Sequence, residues 1–268
     1  MIKHSIELSP EQTGIWFVVN RGRVFVTAEG TIPQGRFAEL ALSAAPDQIC
    51  WIGEQAKQNC YLLVNHDQIS DEAAYVSPRE LLTAGEEIFL LAARAVQVAL
   101  FLQTHRFCGQ CGSAMHLVNW ELAALCHKCG HRCYPRIAPC VLIAVQKDDK
   151  ILLARSSRHK PGFFSILAGF VESAETLEQA AVREVKEEVG IDITNLRYVG
   201  SQPWPFPHSL MTGFIADYVS GEIVCQPQEI EEAYWCALDV LPQVPPIETL
   251  SGKMIAQVQF LAGNKKAT

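Results

Sequence analysis

Two pairs of cysteines constrain this chain more than anything else in it. Cys108-Gly-Gln-Cys111 is followed, after fourteen intervening residues, by Cys126-His-Lys-Cys129. Each tight turn sets two thiolates on one side of a tetrahedron, and a hairpin between the turns brings the halves together. That is the spacing of a zinc ribbon. Gly112 and Gly130 follow the second cysteine of each pair and permit the positive φ such turns often need. His116, His127, His131 and Cys133 are rival ligands, but the symmetry of the two pairs favours the four cysteines. Four thiolates leave no open position for water, so the zinc is expected to be a structural staple. Lys128, Arg132 and Arg136 lie close in sequence and leave nucleic-acid contact open as a further role.

The ribbon, at about 104–135, divides the chain into a front segment, 1–103, and a larger second segment, 136–268. With 268 residues, two units or more are expected, and 49% apolar residues are ample for their cores. The net charge of −7 does not suit wide, non-specific wrapping of nucleic acid, so a phosphate substrate must be drawn in by metal or by locally placed cations. Five of the ten cysteines fall between 108 and 133, a clustering that points to metal rather than to disulfides. Met1-Ile-Lys-His-Ser lacks the regions of a signal peptide. The most apolar stretch, Ile88 to Leu102, is interrupted by Arg94 and Gln97 and reads as a buried helix. A cytosolic protein is expected.

The front segment reads as a small α/β unit. Ile15–Val19 and Arg23–Thr27 are β-branched and aromatic runs joined by the hairpin signal Asn20-Arg21-Gly22, and Cys60–Val64 is a further strand. Ser77-Pro78 opens a helical stretch that Gly85 divides. In the second segment Cys140–Val145 and Ile151–Ala154 pair across the turn at 147–150. A strand at Leu196–Val199, a Pro-rich loop at 203–207, strands around 211–219 and 232–238, and a helix around 249–262 follow. Mixed strands and helices suggest an α/β sandwich with a mixed sheet.

The chemistry concentrates between Gly169 and Ile191. Thr176 and Gln179 form a capping box and Gly190 a C-cap, so a helix is expected at about 177–189. Glu184, Glu187 and Glu188 stand at i, i+3 and i+4, which predicts three carboxylates on one face, with Val182, Val185 and Val189 on another that buries against the sheet. Arg183 can pair with Glu187. Hard oxygen ligands grouped in this way suit Mg²⁺ or Mn²⁺. The segment matches every position of the Nudix box: Gly169, five residues, Glu175, seven residues, then Arg183-Glu-Val-Lys-Glu-Glu-Val-Gly-Ile191. The chain thus resembles the Nudix hydrolases, and the resemblance implies an α/β/α sandwich with a mixed sheet, preceded here by the ribbon and the small N-terminal α/β domain.

A second motif narrows the resemblance. Ser201-Gln-Pro-Trp-Pro-Phe-Pro-His-Ser209 is similar to the signature of the NADH pyrophosphatase branch, whose members also hydrolyse NAD-capped RNA. Tyr134-Pro135 and Ile137-Ala-Pro-Cys140 match the same branch. The resemblance implies divalent metal at Glu184, Glu188 and the Ala168 carbonyl, completed by an acid from a later loop. Glu229 is the choice for that acid, with Glu231 and Glu232 as competitors. It implies a homodimer in which Tyr134 of the neighbouring subunit covers a nicotinamide stacked on Phe170. Arg79, Glu121, Gln202, Pro203, Trp204, Pro205, Phe206, Pro207, His208, Ser209 and Ser251 complete the implied substrate contacts. Ser251 stands where the branch is expected to carry alanine.

The implied reaction is attack of water on phosphorus, with Glu187 or Glu188 taking the proton, to give nicotinamide mononucleotide and AMP. No GxGxxG fingerprint supports redox use of the dinucleotide. Lys128, Arg132, Arg155, Arg158 and Lys160 would permit capped RNA as a substrate, and the sequence does not rank it against free NADH. The alternatives are a Nudix hydrolase of another nucleoside diphosphate derivative, such as ADP-ribose, and an inactive zinc-ribbon protein that binds nucleic acid.

Overall fold

In the computed structural model of the chain, the residues described are 3–4, 6–40, 48–64 and 74–266, without the side chains of 4 and 264–266. They divide into two compact units. One comprises Met1–Arg136 with Pro205–His208, the other Ile137–Trp204 with Ser209–Thr268.

The first unit opens with strands β1 (Lys3–His4), β2 (Thr13–Asn20), β3 (Arg23–Phe25), β4 (Gln34–Arg36), β5 (Gln48–Gln55), β6 (Gln58–Val64) and β7 (Tyr75–Val76). They form one sheet in the order β1-β5-β6-β2-β3-β7, with β4 also on β2. The expected hairpin is present: Arg21 and Gly22 both take positive φ (47° and 76°) between β2 and β3. Ser77 caps a 3-10 turn, Pro78–Ala84, and Gly85 (φ 115°) separates it from helix α1, Glu86–Thr104.

Alternation along β2 sends Ile15, Phe17 and Val19 to one face, where they pack with Leu91, Ala95, Ala99 and Phe101 of α1. Trp16 and Val18 pack on the other face with Tyr61 and Leu63. Helix α1 is long and apolar enough to cross a membrane by composition, but here its apolar side fills this core. Arg94, one of its two polar interruptions, donates to the Ile52 carbonyl at 2.7 Å. The ribbon contributes three short strands, β8 (His116–Leu117), β9 (Ala124–Leu125) and β10 (Arg132–Cys133), in the order β10-β9-β8.

The second unit contains β11 (Ala138–Lys147), β12 (Lys150–Ser156), β13 (Leu167–Phe170), α2 (Leu177–Val189), β14 (Asp192–Trp204), β15 (Ser209–Ser220), β16 (Ile230–Ala237) and α3 (Leu250–Lys266). Its sheet runs β14-β15-β11-β12-β16, with β13 also on β11. The β11–β15 pair is parallel and the others antiparallel, so the sheet is mixed as expected. Val141, Ile143 and Val145 face α2, while Leu142 and Ala144 pack with Met254, Ile255 and Val258 of α3. One buried strand therefore serves two cores, and the unit is an α/β/α sandwich.

Two local expectations need correction. Val182 is exposed, and Ala180 and Ala181 take the buried positions beside Val185 and Val189. One residue along a helix is a 100° turn, and the smaller alanines let α2 lie close to the sheet. The segment 203–207 is also not one loop. Pro203 and Trp204 continue β14, Trp204 pairs with Ser209, and only 205–208 form the turn. Pro203 is tolerated because β14 is an edge strand of the sheet, and Pro205 and Pro207 lie in the turn.

Candidate functional site

The ribbon cysteines converge. Their four sulfurs lie within 4.8 Å of one another, with Cys108 and Cys129 3.6 Å apart and Cys111 and Cys126 3.5 Å apart. Zinc–sulfur bonds of about 2.3 Å at tetrahedral angles require sulfur separations of about 3.8 Å, so the set fits zinc. The backbone prepares the geometry. Gly112 N–H donates to the Cys108 carbonyl and Gly130 N–H to the Cys126 carbonyl, both at 2.9 Å, and both glycines have positive φ (73° and 77°). The rival ligands are elsewhere occupied. His116 stacks on His127 at 4.6 Å, and the Nε2 of His131 lies 3.3 Å from the sulfur of Cys133.

In the second unit α2 starts and stops where the sequence places it. Thr176 Oγ1 accepts from Gln179 N–H at 3.2 Å, Gln179 Oε1 accepts from Thr176 N–H at 2.9 Å, and Gly190 closes the helix in the left-handed region. Arg183 does more than pair with Glu187. Its guanidinium donates to both oxygens of Glu175 (2.7 and 2.9 Å), to Glu184 (2.9 Å), to Glu187 (2.9 Å) and to the Phe170 carbonyl (3.0 Å). The chelate holds Glu175 well below the usual carboxylate range, at about 2. These bonds fasten the loop after β13 onto the helix. The signal was in the sequence, since Glu175 and Arg183 are both fixed positions of the box.

The three acids of α2 divide. Glu184 and Glu188 are 8% and 4% exposed, whereas the Glu187 side chain is 54% exposed. Burial raises Glu184 against the opposing pull of Arg183. Burial, then the charges of Glu184 and Glu229, push Glu188 up to about 8, and hydrogen bonding with the Ala168 backbone draws it part of the way back. Glu188 Oε2 is buried without a hydrogen-bond partner. Such an oxygen is costly unless a cation meets it. A Cβ at Gly169 would stand 1.8 Å from the Glu184 carboxyl carbon, so only glycine lets strand β13 lie against this carboxylate. Hard oxygens, like-charged and partly unsatisfied, fit a divalent cation.

The later acids separate as well. Glu231 and Glu232 both pair with Arg155, Glu232 at 3.6 Å. Glu229 is the one whose charge acts on Glu184 and Glu188.

The implied substrate positions fall into groups. In the first unit Glu121 and Tyr134 meet, with the Tyr134 hydroxyl 3.5 Å from Glu121 Oε1, and Arg79 lies over the Phe206 ring at 4.8 Å. Pro205, Pro207 and His208 complete the same turn as Phe206. In the second unit Phe170 is exposed beside Ala168 on the same side of β13. Gln202 and Ser209 are buried, and Pro203 and Trp204 are half-buried. The Gln202 amide is occupied at both ends: it donates to the Glu248 carbonyl at 3.0 Å and accepts from Leu250 N–H at 2.8 Å. Ser251 follows Leu250 directly, its hydroxyl 3.2 Å from that of Thr249. Gln202 thus ties the motif strand to the start of α3.

The sequence is similar to those of known proteins. Residues 135–258 match the NUDIX domain family, and residues 103–134 match the NADH pyrophosphatase zinc ribbon domain. The NAD-capped RNA hydrolase NudC of Edwardsiella ictaluri is 46% identical over 249 residues, covering 93% of this chain and 94% of the relative. That of Photorhabdus laumondii is 42% identical over 261 residues, covering 96% and 98%. The MutT NUDIX hydrolase structure from Burkholderia pseudomallei is 26% identical, covers 46% of this chain and 97% of its own, and has a TM-score of 0.40. A clamped glutamate helix on a mixed-sheet sandwich defines a Nudix hydrolase. The chain belongs to that family and, with its ribbon and its full-length relatives, to the NADH pyrophosphatase branch of NAD-capped RNA hydrolases.

Proposed function

We propose that this protein hydrolyses the pyrophosphate bond of NADH and NAD to nicotinamide mononucleotide and AMP, and removes NAD caps from RNA 5′ ends by the same reaction. The observation that carries the reading is the buried pair Glu184 and Glu188, the first packed against Gly169 and the second with one carboxylate oxygen unpartnered, in a chain of this family. Glu184, Glu188, Glu229 and the Ala168 carbonyl would hold Mg²⁺ or Mn²⁺. Bound there, the metal supplies charge neutralisation for the pyrophosphate and a site that orients the attacking water.

The chain's own groups do the rest. Water oxygen attacks phosphorus, the bridging P–O bond breaks, and the departing phosphate keeps the electron pair. The proton from water goes to a carboxylate, Glu188 or Glu187. Glu188 is the buried one, and its Oε2 meets no other group of the described chain. Glu187 is exposed and already engaged by Arg183. Phe170 offers an open ring for the nicotinamide, and Tyr134 of a second subunit covers it in a homodimer. The protein is taken to be cytosolic, where thiolates stay reduced for zinc.

A panel of NADH, NAD, NAD-capped RNA and ADP-ribose with Mg²⁺ or Mn²⁺ tests the reading. AMP release from NADH and exposure of a 5′-monophosphate on capped RNA are expected. Preference for ADP-ribose by tenfold or more would move the protein to another branch, and no turnover of any of the four would end the proposal.

A further inference from the structure

Glu121 is the meeting point of three donors, its chain neighbour Trp120 and, from about a dozen residues on, Arg132 and Tyr134. Trp120 Nε1–H approaches Glu121 Oε1 at 3.2 Å, Arg132 Nη1 at 3.1 Å and the Tyr134 hydroxyl at 3.5 Å. Arg132 Nη1 also lies 3.4 Å from the Tyr134 oxygen, so one guanidinium nitrogen bridges the acid and the phenol. All three donors converge on one carboxylate oxygen. Oε2 of Glu121 accepts from no group of the described chain, and a carboxylate oxygen held in place by its twin is a preorganised acceptor.

The cluster stands at the surface. Tyr134 and Trp120 are 51% and 55% exposed. An isolated ion pair this open is worth little to stability, so fold stability alone gives a weak reason for building it. Its effect is geometric. Left alone, Glu121 and Tyr134 are two flexible side chains. Tied through Arg132 they present one acceptor and one aromatic ring in a fixed relation.

We infer that Arg132 is a positioning residue that locks Glu121 and Tyr134 into a single recognition unit for the nicotinamide nucleoside half of the substrate. Resting on the proposed NADH reaction, it adds to it a determinant of specificity: the ring caps the nicotinamide while the free carboxylate oxygen accepts from a ribose hydroxyl or the carboxamide N–H₂. Arg132 itself touches no substrate. The planar fork is required because one nitrogen must reach two oxygens at once, which a lysine ammonium on a mobile stem does less well.

The test is steady-state kinetics of NADH hydrolysis on the full-length, zinc-loaded enzyme. Arg132→Met is expected to raise KM for NADH by roughly three- to tenfold, the worth of an exposed charge-assisted contact, with kcat within about twofold. Arg132→Lys is expected to recover part of the loss. Because Arg132 acts through Glu121 as well as Tyr134, Arg132→Met should raise KM by a smaller factor in the Glu121→Gln background than in the wild type. One zinc per chain in each variant verifies the ribbon. An unchanged KM in Arg132→Met, additive effects in the double variant, or a normal KM in Glu121→Gln would each overturn the inference. These outcomes are read on an enzyme that turns over NADH, so they are distinct from failure of the proposed reaction, which is loss of wild-type turnover itself.

Discussion

In the ribbon, four thiols are brought together by two backbone turns that close on their own carbonyls. In the second unit, two carboxylates are carried inward on a helix whose burial works against their charge. The ribbon turns form from glycine at the right φ and short N–H to carbonyl bonds, and the sulfurs simply follow. The Glu184 and Glu188 pair is the reverse case. Burial and the charges of neighbouring carboxylates raise both, and one Glu188 oxygen has no partner. A saturated sulfur set makes a metal part of the fold. An unsatisfied oxygen set keeps a metal exchangeable and open to substrate. The difference teaches that stability and chemistry are held apart in this chain, in separate segments with separate ligand chemistry.

The largest effect expected from breaking this division is on turnover. Glu188→Gln should keep its volume and lose its charge, and kcat should fall by roughly a hundredfold or more, with circular dichroism unchanged. Near-normal kcat at saturating Mg²⁺ would show that the buried carboxylate is not part of the reaction. On the other side, Cys108→Ser with Cys126→Ser should empty the ribbon of zinc, measured by elemental analysis of gently purified protein, and expose it to proteolysis. Zinc unchanged in that double variant would refute the four-cysteine assignment.

The smallest effect sharpens the comparison most. A glutamate near 4.5 when unfolded and near 8 when folded binds more protons in the native state between those values. Stability of the Mg²⁺- and Mn²⁺-free protein should therefore fall as pH rises from about 4.5 to 8. Glu188→Gln should flatten this slope and raise the Tm of the metal-free protein at pH 8 by roughly 3–8 °C. Glu175 has the opposite sign: held near 2 by Arg183, its contribution is present above about 4.5 and lost as pH falls toward 2. A metal-free Glu188→Gln variant less stable than wild type at pH 8 would mean that the carboxylate is not strained.

The parts of this architecture that were legible in the sequence are those set by short-range spacing. The capping box at Thr176 and Gln179, the stop at Gly190, the paired knuckles and the Arg21-Gly22 turn all depend on residues within about one helical turn or hairpin. Val182 was misplaced because a 3.6-residue period leaves adjacent residues ambiguous, and only packing against the sheet decided for Ala181. The motif at 201–209 was visible as chemistry but not as a hairpin, since proline reads as a loop signal until an edge of the sheet accommodates it. The role of Gln202 depends on residues 46 and 48 positions away, and that of Arg132 on the pairing of β9 with β10. Neither leaves a local trace. Glu229 is the choice among three neighbouring acids in sequence, and the structure adds that its two competitors, Glu231 and Glu232, both pair with Arg155.

The measurement that tests the division most directly is metal content against turnover on one sample. Purified enzyme is passed into buffer freed of exchangeable divalent ions, then assayed for zinc and for AMP release from NADH before and after Mg²⁺ or Mn²⁺ is returned. The expected result is one zinc per chain throughout, AMP release lost on exchange, and release restored by the added ion without any change in zinc. Turnover that persists in the exchanged enzyme, or that rises and falls with zinc, would contradict the account.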